Sequence, residues 1–220
     1  MSMEYRCVVF DMDGVLFDSE TLVLKCWEIV AKRHHIPEIQ TICRRCLGTN
    51  AAAAKQLFLT YYGKDFPYDE YKAEMSRTFW EYAEAGQLML KPGVREILDF
   101  LESRNVPAAI ASSTRTAVIQ RQLGWFGLTA KFCAIIGGDQ VQRSKPAPEI
   151  YKKACAMLDT PPSLAIAVED SYNGIRSAYA AGMQVIMIPD LLPPVKEILP
   201  LTAGIYPSLT AFLADLKGEK

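Results

Sequence analysis

The sequence predicts an α/β protein, a doubly wound Rossmann-like parallel sheet with a helical cap domain inserted after its first strand. Three observations predict it. Short apolar runs recur along the chain, each closed by a polar residue, Gly or Pro, as strands buried on both faces of a parallel sheet are. Amphipathic helical stretches separate these runs, which implies βαβ units. Residues 18–90 depart from that rhythm and carry helical spacing alone.

Tyr5 to Phe10 is the first strand, ending in Asp11-Met12-Asp13-Gly14. Val23, Trp27 and Val30 then lie at helical spacing, as do Tyr71, Met75, Phe79 and Tyr82. Ala51 to Tyr61 is rich in good helix formers. From Lys91 the pattern alternates. Pro92 and Gly93 open a helix with the stripe Val94, Ile97, Leu98 and Leu101. Val106–Ala111, Phe132–Ile136, Leu164–Val168 and Gln184–Ile188 read as strands. Helices fall between them at Val118, Ile119 and Leu123, at Ile150, Ala154 and Leu158 with Pro148 as first helical residue, and from Gly174 to Ala181, ended by Gly182. Leu209, Phe212, Leu213 and Leu216 mark a last helix, and Pro189 to Pro200, with four prolines, an irregular connection. The expected organisation is an α/β core at 1–17 and 91–220 and a helical domain at 18–90.

Twenty-four basic residues stand against 25 acidic ones, with no Lys/Arg block, so no nucleic-acid-binding face is expected. No apolar run approaches the ~18 residues of a membrane span. Met1 to Phe10 does not fit a signal peptide. A cytoplasmic protein is expected, with a monomer as the default. Cys7, Cys26, Cys133 and Cys155 sit in apolar segments and read as small hydrophobes. Cys43 and Cys46 form a CxxC pair with no partner motif for zinc, so they read as packed thiols. His34-His35, just before Ile36-Pro37, reads as a helix end, with His35 in a left-handed turn.

Chemistry-bearing residues gather where strands end. Asp11 and Asp13 follow the first strand, Ser112 the second, and Glu169 and Asp170 the Leu164–Val168 strand, while Lys145 precedes a helix. In an open parallel sheet, ligands bind beyond the carboxyl ends of the strands, where the strand order reverses. Carboxylates gathered there cannot all ionise without a counter-charge. Mg²⁺ supplies one, because it takes one or two carboxylates, several waters and phosphate oxygens. A lysine and a hydroxyl would complete a phosphoryl cradle, and phosphoryl transfer rests mainly on positioning and charge neutralisation.

Asp11-Met12-Asp13-Gly14-Val15-Leu16-Phe17-Asp18-Ser19 resembles the first signature of the haloacid dehalogenase superfamily. Ile110-Ala111-Ser112-Ser113-Thr114, Ser144-Lys145-Pro146-Ala147-Pro148 and Val168-Glu169-Asp170-Ser171-Tyr172-Asn173-Gly174 resemble the second, third and fourth, in order, so the likeness spans nearly the whole chain. The resemblance implies that Asp11 is the nucleophile and Asp13 the general acid and base. It implies that Ser112, Ser113 and Lys145 bind the phosphoryl group. Mg²⁺ would be held by Asp11, the Asp13 carbonyl and Asp170, with Glu169 a ligand through water or an orienting residue. The insert resembles the family's cap, so Gly48, Thr49 and Asn50 would contact a small phosphorylated metabolite.

Each residue also has an ordinary structural reading. Asp13-Gly14 is a common turn dipeptide, Ser112 a natural helix N-cap, Lys145 a solvated charge, and Glu169-Asp170 charges complementing a helix dipole. Their shared place at one sheet edge favours chemistry. Asp13 favours phosphoryl transfer over dehalogenation, since dehalogenases lack it. Mutases of the β-phosphoglucomutase type carry a cap His and Arg where this chain has Val23 and Ala51. A phosphatase is therefore the first expectation and a phosphomutase the second. An idle phospho-ligand-binding domain is a third, disfavoured by the intact set of Asp11, Asp13, Ser112, Lys145 and Asp170.

Overall fold

The computed structural model describes residues 4–49 and 51–219. The chain divides into two compact units, Met1–Leu16 with Lys91–Lys220, and Phe17–Leu90.

In the first unit, six strands form one parallel sheet in the order β3-β2-β1-β4-β5-β6. These are β1 (Cys7–Phe10), β2 (Ala108–Ala111), β3 (Ala134–Ile136), β4 (Ala165–Glu169), β5 (Gln184–Met187) and β6 (Gly204–Ile205). β1 is central, with Phe10 level with Ile110 on one side and Val168 on the other. The chain runs outward from β1 through β2 to β3, then returns to β4 on the far side. The strand order thus reverses between β1 and β4, which is where a crevice opens in such sheets.

Burial explains the sheet. All residues of β1, β2 and β4 are buried, so both faces are covered, as the continuous apolar runs require. One face packs Val9, Ala109, Ala111 and Ala167 with Tyr151, Ala154, Ile175 and Ala178. The latter four come from α7 (Glu149–Met157) and α8 (Tyr172–Ala181). α5 (Val94–Ser103) buries all four residues of its expected stripe and packs on α9 (Leu209–Lys217). α6 (Thr116–Trp125) completes the helices of this unit.

The second unit is helical: α1 (Ser19–Arg33), α2 (Ile39–Cys46), α3 (Ala51–Tyr62) and α4 (Tyr68–Tyr82), then a wide turn at Ala83–Gln87. Its centre is aromatic. The Trp27 and Tyr68 rings each lie 4.9 Å from that of Phe58, and Tyr62 stacks on Phe66 at 4.6 Å.

Some expectations shift. β6 and α2 are not among the expected elements. On α4 the seam turns: Tyr68, Met75 and Thr78 are buried, while Tyr71, Phe79 and Tyr82 are half-buried. Pro148 is the residue before α7 rather than its first. Cys133 is exposed, because it lies in the loop before β3 and not within the strand. All six cysteines are free thiols, and burial pushes Cys43 up to about 12 and Cys46 up to about 11. His34 closes α1, pairs with Glu74 at 2.7 Å and stacks on Tyr71, and His35 takes a φ of 54°. Among the described residues no helix is long and apolar enough to cross a membrane.

Candidate active site

Parallel registration brings the strand ends to one level. The Asp11 amide donates to Val168 O at 2.9 Å, and the Ser112 amide to Ile136 O at 3.0 Å. Both residues therefore sit one step beyond the sheet, at its carboxyl edge. Asp11, Ser112, Lys145, Glu169 and Asp170 are all buried there.

Lys145 is the hub. Its ammonium donates to Asp11 Oδ1 at 2.6 Å, to Glu169 Oε1 at 2.6 Å and to Ala111 O at 3.0 Å. All three lysine protons are thereby used. Its ammonium also lies 5.0 Å above the Tyr151 ring. Burial by itself would lower the Lys145 pKa. The Asp11 and Glu169 carboxylates outweigh it and leave the pKa raised, so the residue is a fixed cation. Lys145 is joined to Pro146 by a cis peptide bond.

Glu169 orients rather than waits. Oε1 also accepts from the Tyr151 hydroxyl at 2.6 Å, and Oε2 from the Ser171 hydroxyl at 3.1 Å. Ser171 in turn caps α8 by accepting from the Gly174 amide at 3.1 Å. A Cβ on Gly174 would collide with the Glu169 carboxylate, so this position admits glycine alone. Gly14 is constrained in the same way: its φ is +80°, and a Cβ there would collide with Asp170 Oδ2.

Asp13 Oδ2 accepts from the Thr114 hydroxyl at 2.8 Å and from Ser112 Oγ at 3.5 Å. Ser112 is not the cap of α6. That helix starts at Thr116, and Ser112 Oγ accepts from the Thr114 amide at 3.1 Å. Asp139 takes the capping task instead, accepting from the Thr116 amide at 2.8 Å. Ser113 is exposed. Gly48 and Thr49 lie in the helical unit, in the turn after α2, with the Thr49 hydroxyl on Cys46 O at 2.6 Å. Asn50 lies outside the described residues. Thr114 closes the second resembling segment but carries no role there, and Tyr151 and the Lys91–Asp190 ion pair at 2.6 Å have no motif of their own. Their roles are fixed by contacts with residues far away in sequence.

Asp11, Glu169 and Asp170 each offer an oxygen, all within 4.8 Å of one another. Burial raises the Asp11 pKa to about 7. Glu169 and Asp13 add to the rise and Lys145 opposes it. One lysine therefore leaves surplus negative charge among three buried acids. A hard divalent cation fits that surplus and that all-oxygen donor set.

The family model for "Haloacid dehalogenase-like hydrolase" matches residues 8–188. A phosphorylated carbohydrates phosphatase of Thermotoga maritima is 32% identical over 185 residues, covering 82% of this chain and 83% of that one. A beta-phosphoglucomutase of Bacillus subtilis is 29% identical, covering 81% and 80%. The crystal structure of CbbY from Rhodobacter sphaeroides in complex with phosphate superposes with a TM-score of 0.78. It is 24% identical and covers 97% of this chain and 99% of that one, a likeness of fold.

Proposed function

The chain belongs to the haloacid dehalogenase-like hydrolase family and is a phosphoric monoester hydrolase, and we propose that it uses Mg²⁺ and a covalent Asp11 intermediate to release phosphate from a small phosphorylated carbohydrate. One observation carries this reading. Lys145 is clamped between Asp11 and Glu169 at 2.6 Å, at the sheet edge where Asp170 also stands.

Asp11 and Asp170, with the Asp13 carbonyl, would hold the cation, and Glu169 orients Lys145. When bound, the cation neutralises charge on the phosphoryl oxygens and on Asp11. Asp11 attacks phosphorus, a P–O bond forms, and the bond to the leaving oxygen breaks. Asp13 gives that oxygen its proton, from a carboxyl held by the Thr114 hydroxyl. Asp13 then takes a proton from water as the water oxygen bonds to phosphorus. The P–O bond to Asp11 breaks, and phosphate leaves with the aspartate restored. Ser112 and Ser113 bind the phosphoryl oxygens, Lys145 neutralises the Asp11 carboxylate and the phosphoryl charge beside it, and Gly48, Thr49 and Asn50 select the substrate. The work requires no second macromolecule, and a monomer in the cytoplasm suffices.

The test is phosphate release from a panel of sugar phosphates, with excess chelator and then with Mg²⁺ restored. Release that ignores chelation would sink the cation-dependent reading. A phosphomutase is the second reading, favoured by the named relative and opposed by Val23 and Ala51 at the positions where mutases carry His and Arg. Interconversion of hexose 1- and 6-phosphates in the presence of a sugar bisphosphate would establish it.

A further inference from the structure

Beside the proposed cation centre stands a buried carboxylate that the reaction above does not use. Asp190 lies three residues past β5, with its side chain 7% exposed. Oδ1 accepts from Lys91 Nζ at 2.6 Å. Oδ2 is buried and accepts from no described group. A buried acceptor left in that state is costly, so a carboxylate kept there calls for a reason.

Gly14 shows where the free oxygen points. A Cβ on Gly14 would collide with Asp170 Oδ2 and meet Asp190 Oδ2 at 3.3 Å. Oxygens of Asp170 and Asp190 therefore converge on one point of the backbone, three residues after Asp11. The missing side chain of Gly14 is what lets them. Lys91 neutralises Asp190 from the other side and is itself fixed, since its amide donates to Leu16 O at 2.9 Å.

We propose that Asp190 is a positioning residue of the cation centre, its Oδ2 accepting a hydrogen bond from a water of the cation held by Asp11 and Asp170. The inference rests on the cation-dependent reading above. Mg²⁺ gives up its waters reluctantly, so a site with few carboxylate ligands presents water protons that need acceptors. Outer partners of this kind usually matter about 10- to 100-fold in metal affinity. The ion pair to Lys91 keeps the charge of Asp190 compensated, so it orients water without adding a further uncompensated charge.

Mn²⁺ titration followed by electron paramagnetic resonance, with Mg²⁺ as competitor, tests this on the full chain without using activity. Asp190→Asn is expected to weaken Mn²⁺ binding about tenfold or more and to lower the metal-free Tm modestly, because Lys91 loses its charged partner. Lys91→Met is also expected to lower the metal-free Tm, but to leave Mn²⁺ affinity intact or tighter. Wild-type affinity in Asp190→Asn overturns the proposal and makes the ion pair a mere strut. Should that variant not fold, Lys91→Met with Asp190→Ala removes both buried charges together and must show the same weakened affinity. Absence of Mn²⁺ binding in the wild type overturns the proposed function first, and this inference with it.

Discussion

In the helical unit the buried side chains are Trp27, Val30, Ile42, Phe58, Met75 and their like, with only Ser19 and Thr78 as buried polar residues among those described. Its charges pair at the surface, as Lys55 with Asp69 at 2.6 Å and Arg33 with Glu74. The sheet unit does the opposite: Asp11, Lys145, Glu169 and Asp170 are all buried at one edge of the sheet. A buried ion cluster is weak evidence of stabilisation, because desolvation offsets the attraction. The difference teaches where each kind of residue acts. Side chains of the helical unit hold it together, whereas those at the sheet edge gather buried charge at some expense of stability, as the proposed chemistry would require. Substitutions should separate along that line.

The largest expected effect breaks or sustains the comparison directly. Asp11→Asn should lower phosphate release by about four orders of magnitude, which corresponds to ~5 kcal/mol in the barrier, while circular dichroism and Tm stay near wild type. Unfolding of that variant would show that the edge cluster supports the fold after all. Phe58→Ala, at the centre of the aromatic group, should cost about 3–5 kcal/mol of stability in denaturant titration, with Mn²⁺ affinity unchanged at a temperature where it is folded. Loss of affinity there would end the division of labour.

Acidity sharpens the comparison further. The Asp11 pKa is raised from 3.8 to about 7, by burial first and by Glu169 and Asp13 after it. The folded state thus keeps a proton that the unfolded chain has released, so metal-free stability should fall as pH rises from about 4 to about 7. A cation needs the carboxylate, so its affinity should rise about tenfold per pH unit over the approach to pH 7. Tm of the metal-free protein and Mn²⁺ titrations between pH 5 and 8 would show both trends, and flat profiles would contradict the environment assigned to Asp11. The smallest effect is a control on the sheet unit. Ser208 caps α9 by accepting from the Ala211 amide at 3.2 Å, so Ser208→Ala should cost about 1 kcal/mol and leave phosphate release untouched.

How much of this was legible depended on whether the signal was local. β1, β2 and β4 announced themselves because strands buried on both faces must be continuous apolar runs. β6 was not legible: Gly204 and Ile205 make a strand only because Ile186 and Met187 supply partners. α2 has eight residues and is half polar, so its buried Ile39, Ile42 and Cys43 make too short a stripe to announce a helix. At the site, Asp11, Asp13, Lys145 and Asp170 were readable from short motifs. The function of Glu169 as the brace of Lys145 was only half readable, since its partner Tyr151 lies 18 residues earlier on a helix with an ordinary pattern. Asp190 and Lys91, 99 residues apart, were invisible for the same reason.

The central position of β1 has a consequence for the newly made chain. Its neighbours β2 and β4 arrive about a hundred and about a hundred and sixty residues later, and Lys145 meets Asp11 across 134 positions. Such distant pairings form slowly, because long loops must close first. Residues 17–90, by contrast, are one continuous segment that forms a compact unit. On the ribosome, then, the helical unit can gather its aromatic centre while Asp11 still lacks both its lysine and its companion acids. On the proposed reading, the cation centre cannot assemble until β4 docks beside β1.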